Sequence, residues 1–241
     1  MTQTKRPPAN PGRFNQPIWN IRSCRVVGFE SLSRFNLEPT SPDYWFQLAG
    51  EVGMSLELEL AAIKKALGAL AALEDRSVYL AINASPETAS NKHLRSLLDG
   101  FDLTRIVLEI TEQADACDIE HLIEAIEPLR KSGARLAIDD VGVGYSGLQR
   151  MLKLRPDLIK LDMSLTRNIH ADPARQALAS ALARFSSVTE TTIIAEGVEN
   201  RDELEALKGL GIEFAQGYLL GRPAPLEQAL EHAFGMQSHL P

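Results

Sequence analysis

Cysteine is scarce in this chain of 241 residues: there are two, Cys24 and Cys117, in no C-x-x-C spacing. That rules out a disulfide framework or a thiolate cluster and suits a reducing compartment, with both thiols read as small buried hydrophobes. Histidine is also thin. His93, His121, His170, His232 and His239 are scattered with no His-x-x-x-His pair, so nothing offers the imidazole ligation typical of zinc. No apolar run approaches the ~18 residues of a membrane span, and the opening "MTQTKRPPANPGRF" lacks the apolar centre of a signal peptide. A cytoplasmic protein with no membrane insertion by this segment is the expectation. Positive charge is not in excess either: 25 Lys and Arg stand against 32 Asp and Glu, a net charge of −7. An acidic chain argues against binding duplex nucleic acid, which selects a basic face. A small anionic ligand stays open, provided local cations meet its phosphates.

What is present is an ordinary globular composition, 44% hydrophobic and 24% charged. Chains of roughly 200–250 residues commonly form one α/β barrel domain. Residues 1–14 are polar with three prolines and read as an exposed arm; residues 15–235 read as one domain and 236–241 as a tail. Within the domain, short Val/Ile/Leu-rich runs alternate with helical spacing. "QPIWNI" reads as the hairpin partner of "CRVVGFESL", and "SVYLAINAS", "RIVLEIT", "ARLAIDDV", "DLIKLD", "TTIIAEGV" and "FAQGYLLG" follow. "SLELELAAIKKALGALAALED" reads as a helix with a wide apolar stripe. Asp172 with Pro173 marks a helix start, and Gly133 and Gly211 mark helix ends. Near-continuous apolar strands are buried on both faces, as in a parallel sheet. Their number predicts an α/β protein with a (β/α)8 TIM-like barrel; a doubly wound open sheet is the alternative.

One stretch, "RLAIDDVGVGYSG", carries G-x-G-x-x-G at Gly142, Gly144 and Gly147, with Asp162 about 20 residues on, as in a dinucleotide-binding fingerprint. Asp139 and Asp140 stand directly before it and would repel a pyrophosphate, so an oxidoreductase reading rests on the glycines alone. The wider pattern is stronger. Strand after strand is apolar until its C-terminal end, where Glu30, Asn83, Glu109 (with Glu112), Asp139 and Asp140, Lys160 and Asp162, Glu196 (with Glu199), and Gln216 fall. Parallel strands bring such groups to one end, where barrels build active sites. A single strand-end carboxylate is more often a helix cap, the favoured reading of Asp162 taken alone. The whole set is not. Five or more carboxylates in one mouth raise one another's pKa values and cannot all stay ionised unaided. The set therefore predicts bound metal, and all-oxygen ligation selects Mg2+ or Mn2+ over zinc. Asp139 and Asp140 can bridge two ions ~3.5–4 Å apart, an arrangement suited to phosphoester hydrolysis, with Lys160 orienting the attacking water or offsetting developing charge.

In order, "NQPIWN", "FESLSR", "INAS", "LEITE", "DDVGVGYSGL", "IKLD", "AEGVEN" and "QGYLLGRP" resemble the motifs of the EAL domain, the bacterial cyclic di-GMP phosphodiesterase family, over residues from about 15 to 225. The resemblance implies a barrel whose first strand is antiparallel, a centre of two divalent cations with Ca2+ inhibitory, and hydrolysis of cyclic di-GMP to linear 5'-pGpG. It implies that Glu30, Asn83, Glu109 and Asp139 hold one cation, and that Asp139, Asp140 and Glu196 serve the second. It further implies that Lys160 contacts the nucleophilic water, Gln216 positions the site, Glu112 braces the loop after Asp140, and Gln16 and Arg34 contact the ligand. A homodimer is a family expectation. Ser31 replaces the family alanine, while Val141, Val143 and Gly147 depart from D-D-F-G-x-G-Y-S-S. The short N-terminus fits either a piece of a longer sensory protein or a stand-alone domain. Degenerate members of the family act as non-catalytic cyclic di-GMP receptors or protein-interaction domains, which is the competing function.

Overall fold

The computed structural model describes residues 12–111, 119–141 and 147–236. Eight strands close into a barrel in sequence order. They are β1 (Gly12–Asn20), β2 (Arg25–Arg34), β3 (Tyr79–Asn83), β4 (Ile106–Thr111), β5 (Arg135–Val141), β6 (Leu158–Leu161), β7 (Thr192–Ala195) and β8 (Phe214–Ala215). β1 is antiparallel to both neighbours, β2 and β8, and every other pair is parallel. Closure leaves no sheet edge, and this is the barrel expected from the strand count rather than the open sheet. β1 takes in residues 12–14, which the polar pattern leaves to the arm.

Side chains alternate between two cores because the strand period is two. Ile18, Tyr79, Ala81, Val107, Ala137, Leu158 and Ile194 fill the barrel lumen. Their strand neighbours, Leu80, Ile82, Ile106, Leu108, Leu136, Ile138 and Ile159 among them, face the surrounding helices. That is why the strands read as unbroken apolar runs. Gly28 is required in the lumen: a Cβ there would stand 2.5 Å from the Tyr79 ring.

The helices are α1 (Pro42–Glu51), α2 (Ser55–Leu70), α3 (Pro86–Ala89), α4 (Lys92–Leu98), α5 (Ile119–Lys131), α6 (Gly147–Leu154), α7 (Met163–Thr166), α8 (Pro173–Thr189), α9 (Arg201–Gly209) and α10 (Leu226–Met236). The Asp172 carboxylate caps α8 by accepting from the N–H groups of Ala174 and Arg175. Gly133 and Gly211 sit past helix ends at φ 102° and 85°. The sequence reading passes over α1, whose signals were Ser41 and Pro42. It is held by a separate cluster of Phe35, Trp45, Ala49 and Leu58, with the Trp45 indole donating to the Pro39 carbonyl at 2.6 Å.

Candidate metal centre and ligand groove

The strand period that fills the lumen also builds the site. Two residues beyond each lumen position toward the same mouth come Glu30, Asn83, Glu109, Asp139, Lys160, Glu196 and Gln216, and on the antiparallel β1 the same step reaches Gln16. Every strand of the barrel thus contributes one polar side chain to a single layer, which no local stretch of sequence displays.

Lys160 is the centre of that layer. Its side chain is 1% exposed, and its Nζ lies 2.9 Å from Glu196, 3.1 Å from Glu109, 3.2 Å from Asp139 and 3.4 Å from Glu30. Burial works against the ammonium, but Glu109, Glu196, Glu30 and Asp139 together hold its pKa well above the ordinary lysine value. It keeps its proton at neutral pH. One ammonium cannot offset four carboxylates, however. Burial, reinforced by Glu30, Asp139 and Glu196, pushes Glu109 well above the usual glutamate range despite Lys160. Burial, with help from Asp139 and Glu30, raises Glu196 to about 8. Glu30 goes the other way. Burial opposes its ionisation, but Lys160 and hydrogen bonds from Gln216 and Asn83 bring its pKa below the ordinary value.

Amides frame the acids. Asn83 Nδ2 donates to Glu30 Oε1 at 3.1 Å, and Gln216 Nε2 donates to Glu30 Oε2 at 2.7 Å and to Gln16 Oε1 at 2.8 Å. Gln16 Nε2 is spent on the Gly221 carbonyl at 2.9 Å, so both ends of that side chain are engaged within the protein.

The paired aspartates meet through a break in the strand. Asp140 adopts φ 57°, beside a register shift between Ile138 and Val141. Its N–H donates to Asp139 Oδ1 at 3.0 Å. In a regular strand the two carboxyls would point to opposite sides; here both turn to the mouth. Burial and the neighbouring Asp139 and Asp162 raise Asp140 to about 6.

Two carboxylate triads result, Glu30–Glu109–Asp139 and Asp139–Asp140–Glu196, each with ligand oxygens within 4.8 Å of one another. Asp139 belongs to both. The residues fit a pair of hard cations: the donors are all oxygen, the charge is under-compensated, and Glu109 Oε1 and Gln216 Oε1 are buried without a hydrogen-bond partner among the described residues. A groove of about 450 Å³ adjoins the triads, lined by Glu30, Asn83, Asp139, Arg13, Ser31 and Arg34 among others. Arg34 donates Nη1 to the Ser33 carbonyl at 2.8 Å and lies 5.4 Å from the centre of the Phe14 ring.

Two sequence-selected residues fall elsewhere. Asp162 caps α7, accepting from the Ser164 N–H at 2.8 Å, the capping role its surroundings favour. Glu199 pairs with Arg167 at 3.2 Å on the surface. Glu112, like Gly142 and Gly144, lies outside the described residues. Sequence reasoning passed over Arg13, which the polar pattern assigned to the arm and which the structure places on β1.

Fold and site together define a closed α/β barrel with an antiparallel first strand and an acidic, cation-ready mouth. Residues 14–223 match the EAL domain family, and the chain belongs to it. It is 30% identical over 228 residues to the cyclic di-GMP phosphodiesterase PdeF of Escherichia coli (strain K12), covering 89% of this chain and 30% of PdeF. Among solved structures, Klebsiella pneumoniae BlrP1 with calcium and cyclic di-GMP at pH 8.0 superposes with a TM-score of 0.79 at 30% identity, covering 93% of this chain and 58% of BlrP1. Its manganese and cyclic di-GMP complex at pH 9.0 gives 0.81 at 30% identity, covering 89% and 56%. The chain therefore spans less than a third of PdeF and less than two thirds of BlrP1. No helix among the described residues is long and apolar enough to cross a membrane.

Proposed function

We propose that this chain hydrolyses cyclic di-GMP to linear 5'-pGpG in bacterial second-messenger signalling, using two divalent cations, Mg2+ or Mn2+. The observation that carries the reading is the pair of carboxylate triads sharing Asp139. Glu30, Glu109 and Asp139, with Asn83, hold one cation; Asp139, Asp140 and Glu196 hold the other. When bound, such ions supply the positive charge that acidifies an attacking water and offsets charge on the phosphodiester. The protein's own groups do the rest. Lys160 keeps its proton against its four carboxylate partners and donates toward the attacking oxygen, while tethering strands β2, β4, β5 and the end of β7 to one point. Gln216, braced by Gln16, holds both itself and Glu30 in place. Arg34 brings a guanidinium to the ligand's groove. The BlrP1 complexes, with calcium or manganese and cyclic di-GMP, support the ligand and the cation class. Calcium, larger and less polarising, inhibits. The same reading puts the chain in the cytoplasm, with a homodimer as the family expectation and either a longer sensory parent or a stand-alone domain as its setting.

The test is appearance of pGpG with Mg2+ or Mn2+. Glu30→Ala and Asp140→Ala each lower turnover by more than about 100-fold, on the scale of losing a ligand that builds a metal site. Normal rates in either variant refute the metal assignment. Tight cyclic di-GMP binding in chelator, with no turnover on adding either metal, marks a receptor instead.

A further inference from the structure

Arg13 is a guanidinium that no carboxylate among the described residues pairs with. It enters on β1 opposite Ser33 of β2. Among the described residues it makes one hydrogen bond, Nη1 to the Ser31 carbonyl at 3.1 Å, and no ion pair. Its Nε is buried without a partner. Burial lowers its pKa to about 10, with no carboxylate among the causes to pull it back. Arg13 as a whole is half-buried, but a buried N–H donor is ordinarily paired, and its Nε is not. Beside it, the hydroxyl of Ser31 is also buried and without a partner, in a residue only 1% exposed. Arg13 and Ser31 line the same groove as Glu30, Asn83 and Asp139 of the triads.

The groove thus has two kinds of floor. At one side, carboxylates call for cations that would meet one phosphodiester. At the other, the Arg13 guanidinium, without an ion pair among the described residues, offers donors to an anion in a lining that also includes Asp43 and Glu59. A cyclic dinucleotide carries two phosphodiesters, and the triads account for one. Resting on the phosphodiesterase reading above, we propose that Arg13, with Ser31 beside it, forms the subsite for the second phosphodiester, the one that is not cleaved. A guanidinium suits it: the planar fork presents parallel N–H donors to two phosphate oxygens, which an ammonium cannot match. Arg13 is then a ligand-positioning group and takes no part in bond breaking.

Cyclic di-GMP binding is measured by calorimetry in Ca2+, and hydrolysis in Mn2+ is followed for cyclic di-GMP and for bis(4-nitrophenyl) phosphate, which has a single phosphodiester. Arg13→Gln is expected to weaken cyclic di-GMP binding at least about 10-fold and to raise KM far more than it lowers kcat, the scale of losing one charge-assisted pair. The loss in kcat/KM is at least about 10-fold larger for cyclic di-GMP than for the single diester. Arg13→Lys, which keeps the charge without the fork, recovers part of the affinity and serves if the glutamine variant folds poorly. Equal losses on both substrates would show that Arg13 merely supports the barrel, and unweakened binding in Arg13→Gln would show that it meets no anion; either overturns the assignment. If the wild-type chain itself fails to bind cyclic di-GMP, the phosphodiesterase reading falls and the subsite with it, a result distinct from failure of Arg13 alone.

Discussion

Lys160 and Asp139 show how far a residue's meaning depends on what surrounds it. Each is a polar letter near the end of an apolar strand, and Asp162, which looks similar in sequence, turns out to be a helix cap. What separates them is the lumen-facing step of two along the strand: Lys160 follows Leu158 on that face, whereas Asp162 has left the strand. Asp140 breaks the same rule by taking φ 57°, and so reaches the mouth beside Asp139. No sequence pattern announces that turn, because a left-handed aspartate is permitted but not required by the chain around it. The residue-scale expectations are the loss of turnover in Glu30→Ala and Asp140→Ala. The binding loss in Arg13→Gln belongs here too.

At the scale of elements, the loops after β7 and β8 are locked to each other and to α9. Asn200 and Glu203 form a capping box at the start of α9. Glu203, 1% exposed, also accepts from the N–H groups of Asn168 at 2.8 Å and Glu199 at 2.9 Å. Burial opposes ionisation of Glu203, but the backbone donors of Asn168, Glu199 and Asn200 outweigh it and hold its pKa below the ordinary glutamate value. A carboxylate with a lowered folded pKa stabilises the fold above its unfolded pKa, and that stability is lost as pH falls through the folded value. Glu203→Gln should therefore cost about 1–3 kcal/mol at pH 7. The gap between variant and wild type, read from denaturant midpoints, should shrink below about pH 4.3. A gap independent of pH would disprove the role of the ionised form. Beside this lock, Gly217 follows Gln216, and a Cβ on it would stand 2.2 Å from both the N and O atoms of Val198. That contact is backbone and cannot yield, so Gly217→Ala should lower stability by about 1–3 kcal/mol or more and disturb Gln216 with it. An unshifted denaturation midpoint would show that the two loops can part. The helix ends at Asp172, Gly133 and Gly211 were legible in sequence because capping is local chemistry. α1 was not, since its helix depends on Trp45 and Phe35 meeting Leu58 from α2.

For the whole molecule, barrel closure turns eight separate strand ends into one layer, and this sets how cations should act on stability. Ions held by Glu30, Glu109, Asp139, Asp140 and Glu196 would join strands from opposite parts of the sheet, so their effect should fall on global unfolding. At about 100-fold over its Kd, a cation bound only by the folded state adds about 2.7 kcal/mol. Mn2+ should give a gain of that order in the wild-type chain and much less in Asp139→Asn, measured by denaturation with and without the ion. Equal gains in both would place the ion elsewhere. The net charge of −7 is no obstacle to an anionic ligand under this scheme, because cations and the two guanidinium groups of Arg13 and Arg34 act within the groove.

By itself the sequence determined the strand runs, their alternation with helices, and the placing of a carboxylate, amide or ammonium at nearly every strand end. These follow from local periodicity and from which side chains water will hold. Tertiary structure alone decided that the ring closes through the pairing of β1 with β8, that Lys160 stands within 3.4 Å of four acids from distant strands, and that the ligand oxygens of the two triads come within 4.8 Å of one another. The physical reason is that such contacts depend on the handed stagger of a closed sheet, which brings together residues as far apart as Glu30 and Gln216.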